Sequence, residues 1–550
     1  MLLLSIWLIP LGAMSVGTWV PLNSWAPDYI GTMLLLPDGT VLAANGDTSS
    51  NWYRLAPDSS GSYVNGTWST LSPMNDSRLY FASDVLPNGN FFVAGGEYGT
   101  GTATAEIYNI VSNTWSETVV PPALLDPSQM SPAADGNQAF ADAISTVLPD
   151  GSVLIAPVYA STVGGTLTYN PTSNVWSAGP RLFRGSDQAE ACWVKLADGS
   201  VLTIDPYGTH SERYLPALNR WLNDANVPVS LYDTNGELGA GILLSDGRAF
   251  FLGGTGHTAF YTPSGNTNAG TWAAGPDLPN GQGTPDAPAA MMMNGKVLCA
   301  TGPAQTYNGP VSFYEYDAVS NSFTRVNAPD GFPTLDYAVP YGTTMLDLPD
   351  GSVLFADFGQ QLYVYQPDGS PLASGKPTIT RITRNPDGTY HLTGKQLNGI
   401  SQGAAYGDDA QMDSNYPIVR MTNSVGGVFY ARTYGWSSTG VMTGNAPVTT
   451  EFALPAGLPL GEYSLVVVAN GISSDPVTFI TLVPLQIALS GNHAVISWPS
   501  SATNIDLETT TNLSAGNWTR LTNGITLMNT NFVLTNNLGG GSAFYRLFGE

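Results

Sequence analysis

The sequence predicts an all-β protein dominated by one large ring of repeated four-stranded units, and three observations carry that prediction. A hydrophobic run, a turn of the type Pro/Ser/Ala-Asp/Asn-Gly and a second hydrophobic run recur seven times, with turn glycines at Gly39, Gly89, Gly151, Gly199, Gly247, Gly295 and Gly351. Downstream of the hairpins come aromatic strands (AEIYNI, TLTYNP, SERYLP, TAFYTP, FYEYDA). A further strand then opens on an aromatic at Trp68, Trp115, Trp176, Trp221, Trp272 and Phe323, at spacings of 47, 61, 45, 51 and 51 residues. Composition points the same way: only 11% of the 550 residues are charged, against 61 Gly and 40 Pro. Such a chain is rich in turn formers, and its 13 Trp, 26 Tyr and 19 Phe mark a packed core rather than a disordered acidic chain.

Each unit reads as a β-hairpin, because Asp-Gly or Asn-Gly supplies the positive φ angles of a tight turn. Four strands per period of about 50 residues is the signature of kelch blades in a β-propeller, here seven-bladed and spanning residues 16–370. The seventh unit lacks its fourth strand. The segment GTWVPLNS, with Trp19, is expected to supply that strand from the other end of the chain and so close the ring. Residues 376–482 alternate in short strands separated by turns, as in an immunoglobulin-like sandwich. Residues 484–550 are long enough for a small C-terminal β-sandwich, and no segment reads as a substantial helix.

Residues 1–15, MLLLSIWLIPLGAMS, resemble the apolar region and small-residue cleavage zone of a signal peptide, although the basic n-region is missing. Export to the extracellular space or cell surface is therefore expected. No later segment has the ~20 apolar residues of a membrane span, so no membrane insertion is expected. With 18 Lys+Arg against 42 Asp+Glu the net charge is −24, which repels phosphate backbones and anionic bilayers and argues against nucleic acid as a partner. The expected partner is an extracellular carbohydrate or protein, bound by a monomer. The two cysteines, Cys192 and Cys299, lie in strand-like contexts and read as small buried hydrophobes, with a disulfide or a reactive thiol as the alternative.

In a propeller the innermost strands line a channel, and the residues before them form its rim. The position nine places before each turn glycine is Ile30, Tyr80, Asp142, Glu190, Leu238, Asp286 and Gly342, with Glu237 and Tyr341 one place earlier in their blades. The loops joining strands two and three open on the same face and carry Tyr98, Tyr159, His210 and His257. Asp142, Glu190 and Asp286, with His210 or His257, could hold a hard or borderline metal or hydrogen-bond sugar hydroxyls, and Glu237 is a further ligand-binding candidate. The plain alternative is a set of rim carboxylates facing water. In the second domain AYGDDAQMD gathers Asp408, Asp409 and Asp413 in one loop, which is either a calcium site or a solvated turn, since its spacing matches no EF-hand. No Ser-His-Asp order, phosphate loop or Cys-His zinc pattern appears.

A kelch propeller followed by an immunoglobulin-like domain resembles galactose oxidase and the related copper-radical oxidases over roughly residues 16–482. In that family two tyrosines and two histidines hold copper, one tyrosine is crosslinked to a cysteine, and a tryptophan stacks on the crosslink. The resemblance implies that Tyr80, in RLYFASDVLPNG, matches the crosslinked tyrosine, and that Tyr98, in AGGEYG, stands where the tryptophan would. Tyr341, in VPYGTTMLDLPDG, matches the second tyrosine ligand. The crosslinking cysteine falls on Ile30, the adjacent histidine on Gly342, and the second-domain histidine at or near Tyr430. His391, the only histidine of that domain, lies in an earlier strand.

Copper(II) prefers a tetragonal field with imidazole nitrogens. Without them two phenols of ordinary pKa near 10 would have to ionise unaided. The sequence therefore favours a secreted binding propeller without copper-radical chemistry, for which no cofactor is expected and calcium is the metal left open. The alternative is an enzyme on the same face: an oxidase with altered ligands, or a metal-dependent hydrolase or lyase.

Overall fold

The computed structural model describes residues 16–101, 103–128, 140–141, 143–406, 410–481, 484–500, 505–539 and 541–549, with the backbone alone for 406, 410–413 and 549. The leader 1–15, Asp142, Asp408 and Asp409 lie outside the described residues, as does the side chain of Asp413. The chain divides into two compact units. The first runs through Val419 and adds Ala431–Ala453 and Val467–Asp475; the second comprises Arg420–Tyr430, Leu454–Val466 and Pro476–Glu550. Among the described residues the helical segments are three-residue 3-10 turns, and no helix is long and apolar enough to cross a membrane.

In the first unit the architecture is a β-propeller. Six four-stranded antiparallel sheets, and one extended by three further strands, follow the chain in order. Their innermost strands touch around the ring. Ile30–Leu35 meets Thr344–Asp347, Ala82–Val85 meets Ile144–Val147, and Leu238–Leu243 lies between Val194–Lys195 and Ala289–Met291. The hairpin turns repeat to the atom. In each, the Asp or Asn accepts from the backbone N–H two residues on, at Thr40, Asn90, Ser152, Ser200, Arg248, Lys296 and Ser352. Only the turn glycine takes positive φ, between 75° and 90°. These are therefore type I turns closed by a glycine bulge, not two-residue turns with both central residues left-handed.

The aromatic periodicity becomes one cross-strand pair per blade. Tyr108–Trp115, Tyr169–Trp176, Tyr214–Trp221, Tyr261–Trp272 and Tyr316–Phe323 stack with centroids 4.7–5.4 Å apart. Four of these tyrosines also donate their hydroxyl to the side chain of an asparagine five residues on, Asn113, Asn174, Asn219 or Asn321. Each of those asparagines is left-handed in its turn. The last sheet makes the same aromatic pair with a strand from the chain's start. Thr18–Pro21 pairs antiparallel with Tyr363–Gln366, which places Trp19 opposite Tyr365 at 4.7 Å. Trp19 also packs on Phe313 and Phe355, and its indole N–H donates to the Asn327 carbonyl. Trp19→Ala is expected to destabilise the propeller by about 3 kcal/mol. The check is the urea midpoint against an exposed control, Val111→Ala; equal midpoints for the two variants would show that the strand does not hold the ring.

One feature of the channel was not legible in the repeat. A hairpin of Gly403–Tyr406 and Ala410–Asp413 enters the propeller and adds to the sixth blade, Ala405 opposite Ala289 and Ala404 opposite Ala290. It touches the innermost strands of five blades. Small residues at 403–405 let the backbones approach this closely, since a Cβ on Gly403 would sit 2.4 Å from the Ser414 hydroxyl. Polar groups are buried beside it. Lys195 donates from Nζ to the Val147 and Thr439 carbonyls, and Ser145 donates to Asp84. Among the described residues, Asp347, on the seventh blade's innermost strand, has only a long 3.4 Å contact from the Ser414 hydroxyl on Oδ2 and none on Oδ1. Burial pushes its carboxyl up to about 8.

In the same unit Thr378–Arg384, Tyr390–Lys395 and Pro447–Ala453 pair antiparallel in that order. In the second unit a four-stranded sheet contains Gln486–Ser490, His493–Pro499, Ile525–Met528 and Asn531–Asn537, and a three-stranded sheet contains Ile505–Thr510, Thr519–Leu521 and Phe544–Gly549. They bury Ile496, Trp498, Leu507 and Leu534.

Candidate functional site

The structure brings three rim carboxylates together. Glu190, Glu237 and Asp286 precede the innermost strands of three consecutive blades, and one oxygen of each lies within 4.8 Å of the others. Local turns aim them. Gln188 anchors the Glu190 turn, accepting from the Trp193 indole N–H and the Thr203 hydroxyl while its carbonyl takes the Ala191 N–H. Asp233 accepts from the Asn235 and Glu237 backbone N–H groups and fixes the DTNGE turn. Tyr80, Glu190 and Asp286, at the same step of their blades, are all left-handed, with φ of 52°, 56° and 45°. Each such non-glycine residue costs about 1 kcal/mol or more and persists only where its surroundings impose it. The carboxylates also repel: at an effective dielectric of about 20, two full charges ~5 Å apart cost about 3 kcal/mol.

Glu237 is 4% exposed and Asp286 7%. The Tyr307 hydroxyl donates to Glu237 Oε1, whereas Glu237 Oε2 has no hydrogen-bond partner among the described residues. Burial, the Glu237 bond and the Asp286 and Glu190 charges all push the Tyr307 phenol well above its ordinary range. Burial likewise raises Glu97, and the field of Glu237 adds to that. Tyr307 stands edge-on to Tyr341, with centroids 6.1 Å apart, and Tyr80 packs on Tyr98 at 6.3 Å. The mouth is thus acidic at its centre with tyrosines beside it.

Tyr307 and Glu97 escaped the sequence reading, although a signal existed for the first. Tyr307 occupies in blade six the same loop that carries Tyr98, Tyr159, His210 and His257 in earlier blades.

The two histidines do not join the carboxylates. His210 pairs through Nδ1 with Asn226 at 2.8 Å, and His257 with Asp277 at 2.8 Å, each within its own blade. Tyr159 is exposed. The strand that pairs with the sixth blade is Gly403–Tyr406, and Tyr430 lies in the strand Val428–Tyr434. His391 is taken up by Glu451 at 2.5 Å.

The copper ligand set is not assembled from these residues. Ile30 is fully buried on its strand, and a Cβ on Gly342 would meet Val339 and Phe358. Cys192 and Cys299 are buried free thiols on other blades, and burial pushes Cys192 up to about 12. Two phenols without imidazole or thioether do not fit a copper-radical centre.

No protein-family model matches the chain, and no curated protein matches it. Among solved structures, a fungal alcohol oxidase of the AA5 family in complex with copper superposes with a TM-score of 0.50 at 14% identity, over 85% of this chain and 100% of that one. The fold is galactose-oxidase-like. A catalytically inactive virginiamycin B lyase from Staphylococcus aureus with quinupristin matches at a TM-score of 0.44 and 12% identity, covering 64% of this chain and 99% of that one. What the match supports is the scaffold alone.

Proposed function

We propose that this is an extracellular or cell-surface protein with kelch-type blades that binds a carbohydrate at the propeller mouth and does not perform copper-radical oxidation. The observation that carries the reading is the convergence of Glu190, Glu237 and Asp286 beside Tyr307 and Tyr341; the family resemblance adds that one imidazole position and the thiol position fall on Gly342 and Ile30. Carboxylates accept from sugar hydroxyls in pairs, and a tyrosine face stacks on the apolar side of a pyranose ring. A site built on rigid strand ends and short turns needs little ordering on binding.

A glycan array probed with the full-length chain is expected to give binding that falls at least tenfold on Tyr307→Ala and on Glu190→Ala. Binding to no glycan, or stoichiometric copper with a radical absorption band in the purified protein, would overturn the reading.

A further inference from the structure

We propose that Glu190, Glu237 and Asp286 form a site for a hard divalent cation of calcium size. Their ligating oxygens lie within 4.8 Å of one another, no farther apart than about twice the ~2.4 Å calcium–oxygen distance. The second observation is Glu237 itself. It is nine-tenths buried and forms no ion pair among the described residues, and Oε2 lacks a hydrogen-bond donor while Oε1 is satisfied by Tyr307. A buried anionic oxygen left without a donor is costly, and a cation between three carboxylates removes both that cost and their mutual repulsion.

The donor set selects the ion. All three ligands are carboxylate oxygens and the nearby phenol is oxygen too, which suits a hard cation. The histidines that would favour zinc or copper are engaged elsewhere. The three ligands come from three separate blades, whose relative placement is set by the ring. Calcium accepts such irregular geometry with six to eight oxygens, whereas magnesium demands a near-ideal octahedron. Three carboxylates leave coordination positions over for water or for two adjacent hydroxyls of a ligand, with the exposed Tyr307 ring beside them. The inference rests on the reading of this mouth as the working site and names what would hold the sugar there.

The test is isothermal titration calorimetry of the full-length, chelator-treated chain with calcium chloride alone and, separately, magnesium chloride. One calcium per chain is expected, with binding weakened at least tenfold in Glu237→Gln and in Asp286→Asn and unchanged in the double variant Asp408→Asn/Asp409→Asn. Both single variants remove charge repulsion, so without metal an unchanged circular dichroism spectrum and a melting temperature no lower than wild type are expected. The proposal is overturned if calcium gives no binding, if magnesium binds more tightly, or if binding survives Glu237→Gln and Asp286→Asn. Because no glycan is present, the outcome is independent of the carbohydrate reading: calcium binding with a silent glycan array would sink that reading alone.

Discussion

Replacing Asp347 by asparagine is expected to stabilise the propeller at pH 9 and to leave stability nearly independent of pH where the wild type loses it. Asp347 lies buried on an innermost strand, with one long hydrogen bond and, among the described residues, an oxygen that has none. Its carboxyl titrates near 8, against 3.8 for the ordinary group. Between those values the native state holds a proton that the unfolded chain has released, so stability falls as pH rises through the window and levels off above it. Four pH units at about 1.4 kcal/mol each set an upper bound of roughly 6 kcal/mol on the loss. Asparagine imitates the protonated form and has no proton to lose. Urea unfolding followed by tryptophan fluorescence at pH 5 and pH 9 gives the measurement, and the difference between the two proteins cancels every other titrating group. Parallel curves for wild type and variant would show that the Asp347 site is wetter than its surroundings indicate.

Arg78→Met is expected to cost about 3–5 kcal/mol, the range for removing one partner of a buried ion pair. The guanidinium is buried and donates to the carbonyls of Gly95, Gly101 and Thr104, to the Thr104 hydroxyl, and to Glu106 at 3.1 Å. Glu106 in turn accepts from the Asn75 and Asp76 backbone N–H groups. Arg78–Leu79 pairs with Tyr98–Gly99, so this arginine also anchors the strand leading to Tyr80. A methionine would leave carbonyls and a carboxylate buried without their donor. The double variant Arg78→Met/Glu106→Gln should recover part of the loss. A single-variant cost below 1 kcal/mol, or a double variant no better than the single, would refute the buried-pair account.

The propeller was legible because the blades repeat two local signals, a turn in every blade whose Asp or Asn caps its own backbone and, in most, a tyrosine facing a tryptophan or phenylalanine across adjacent strands. Both act within about 25 residues. The rim carboxylates Glu190, Glu237 and Asp286 were legible by register, since the turn glycines fix their height on the ring. Their convergence was not, because it depends on the curl of three loops and on left-handed backbone at Glu190 and Asp286. The histidines His210 and His257 shared the rim register, yet each has an Asn or Asp in its own blade to bind. The channel hairpin Gly403–Tyr406 had no repeat to announce it: Ala-Ala pairing to blade six is a contact between residues more than 100 positions apart, and small residues at a close approach look like any loop.

The pairing of Thr18–Pro21 with Tyr363–Gln366 also sets a clock. The two partners are separated by about 350 residues, which a ribosome making ~5–20 residues per second needs roughly 20–70 s to traverse. For that time the first strand has no place to go. The last two blades, when they emerge, show Phe313, Phe355 and Tyr365 uncovered by Trp19. Long-range pairing of this kind is slow, and an open strand edge beside bare aromatics invites a neighbouring chain to pair there instead. Yield on refolding should therefore fall with protein concentration until the two ends meet.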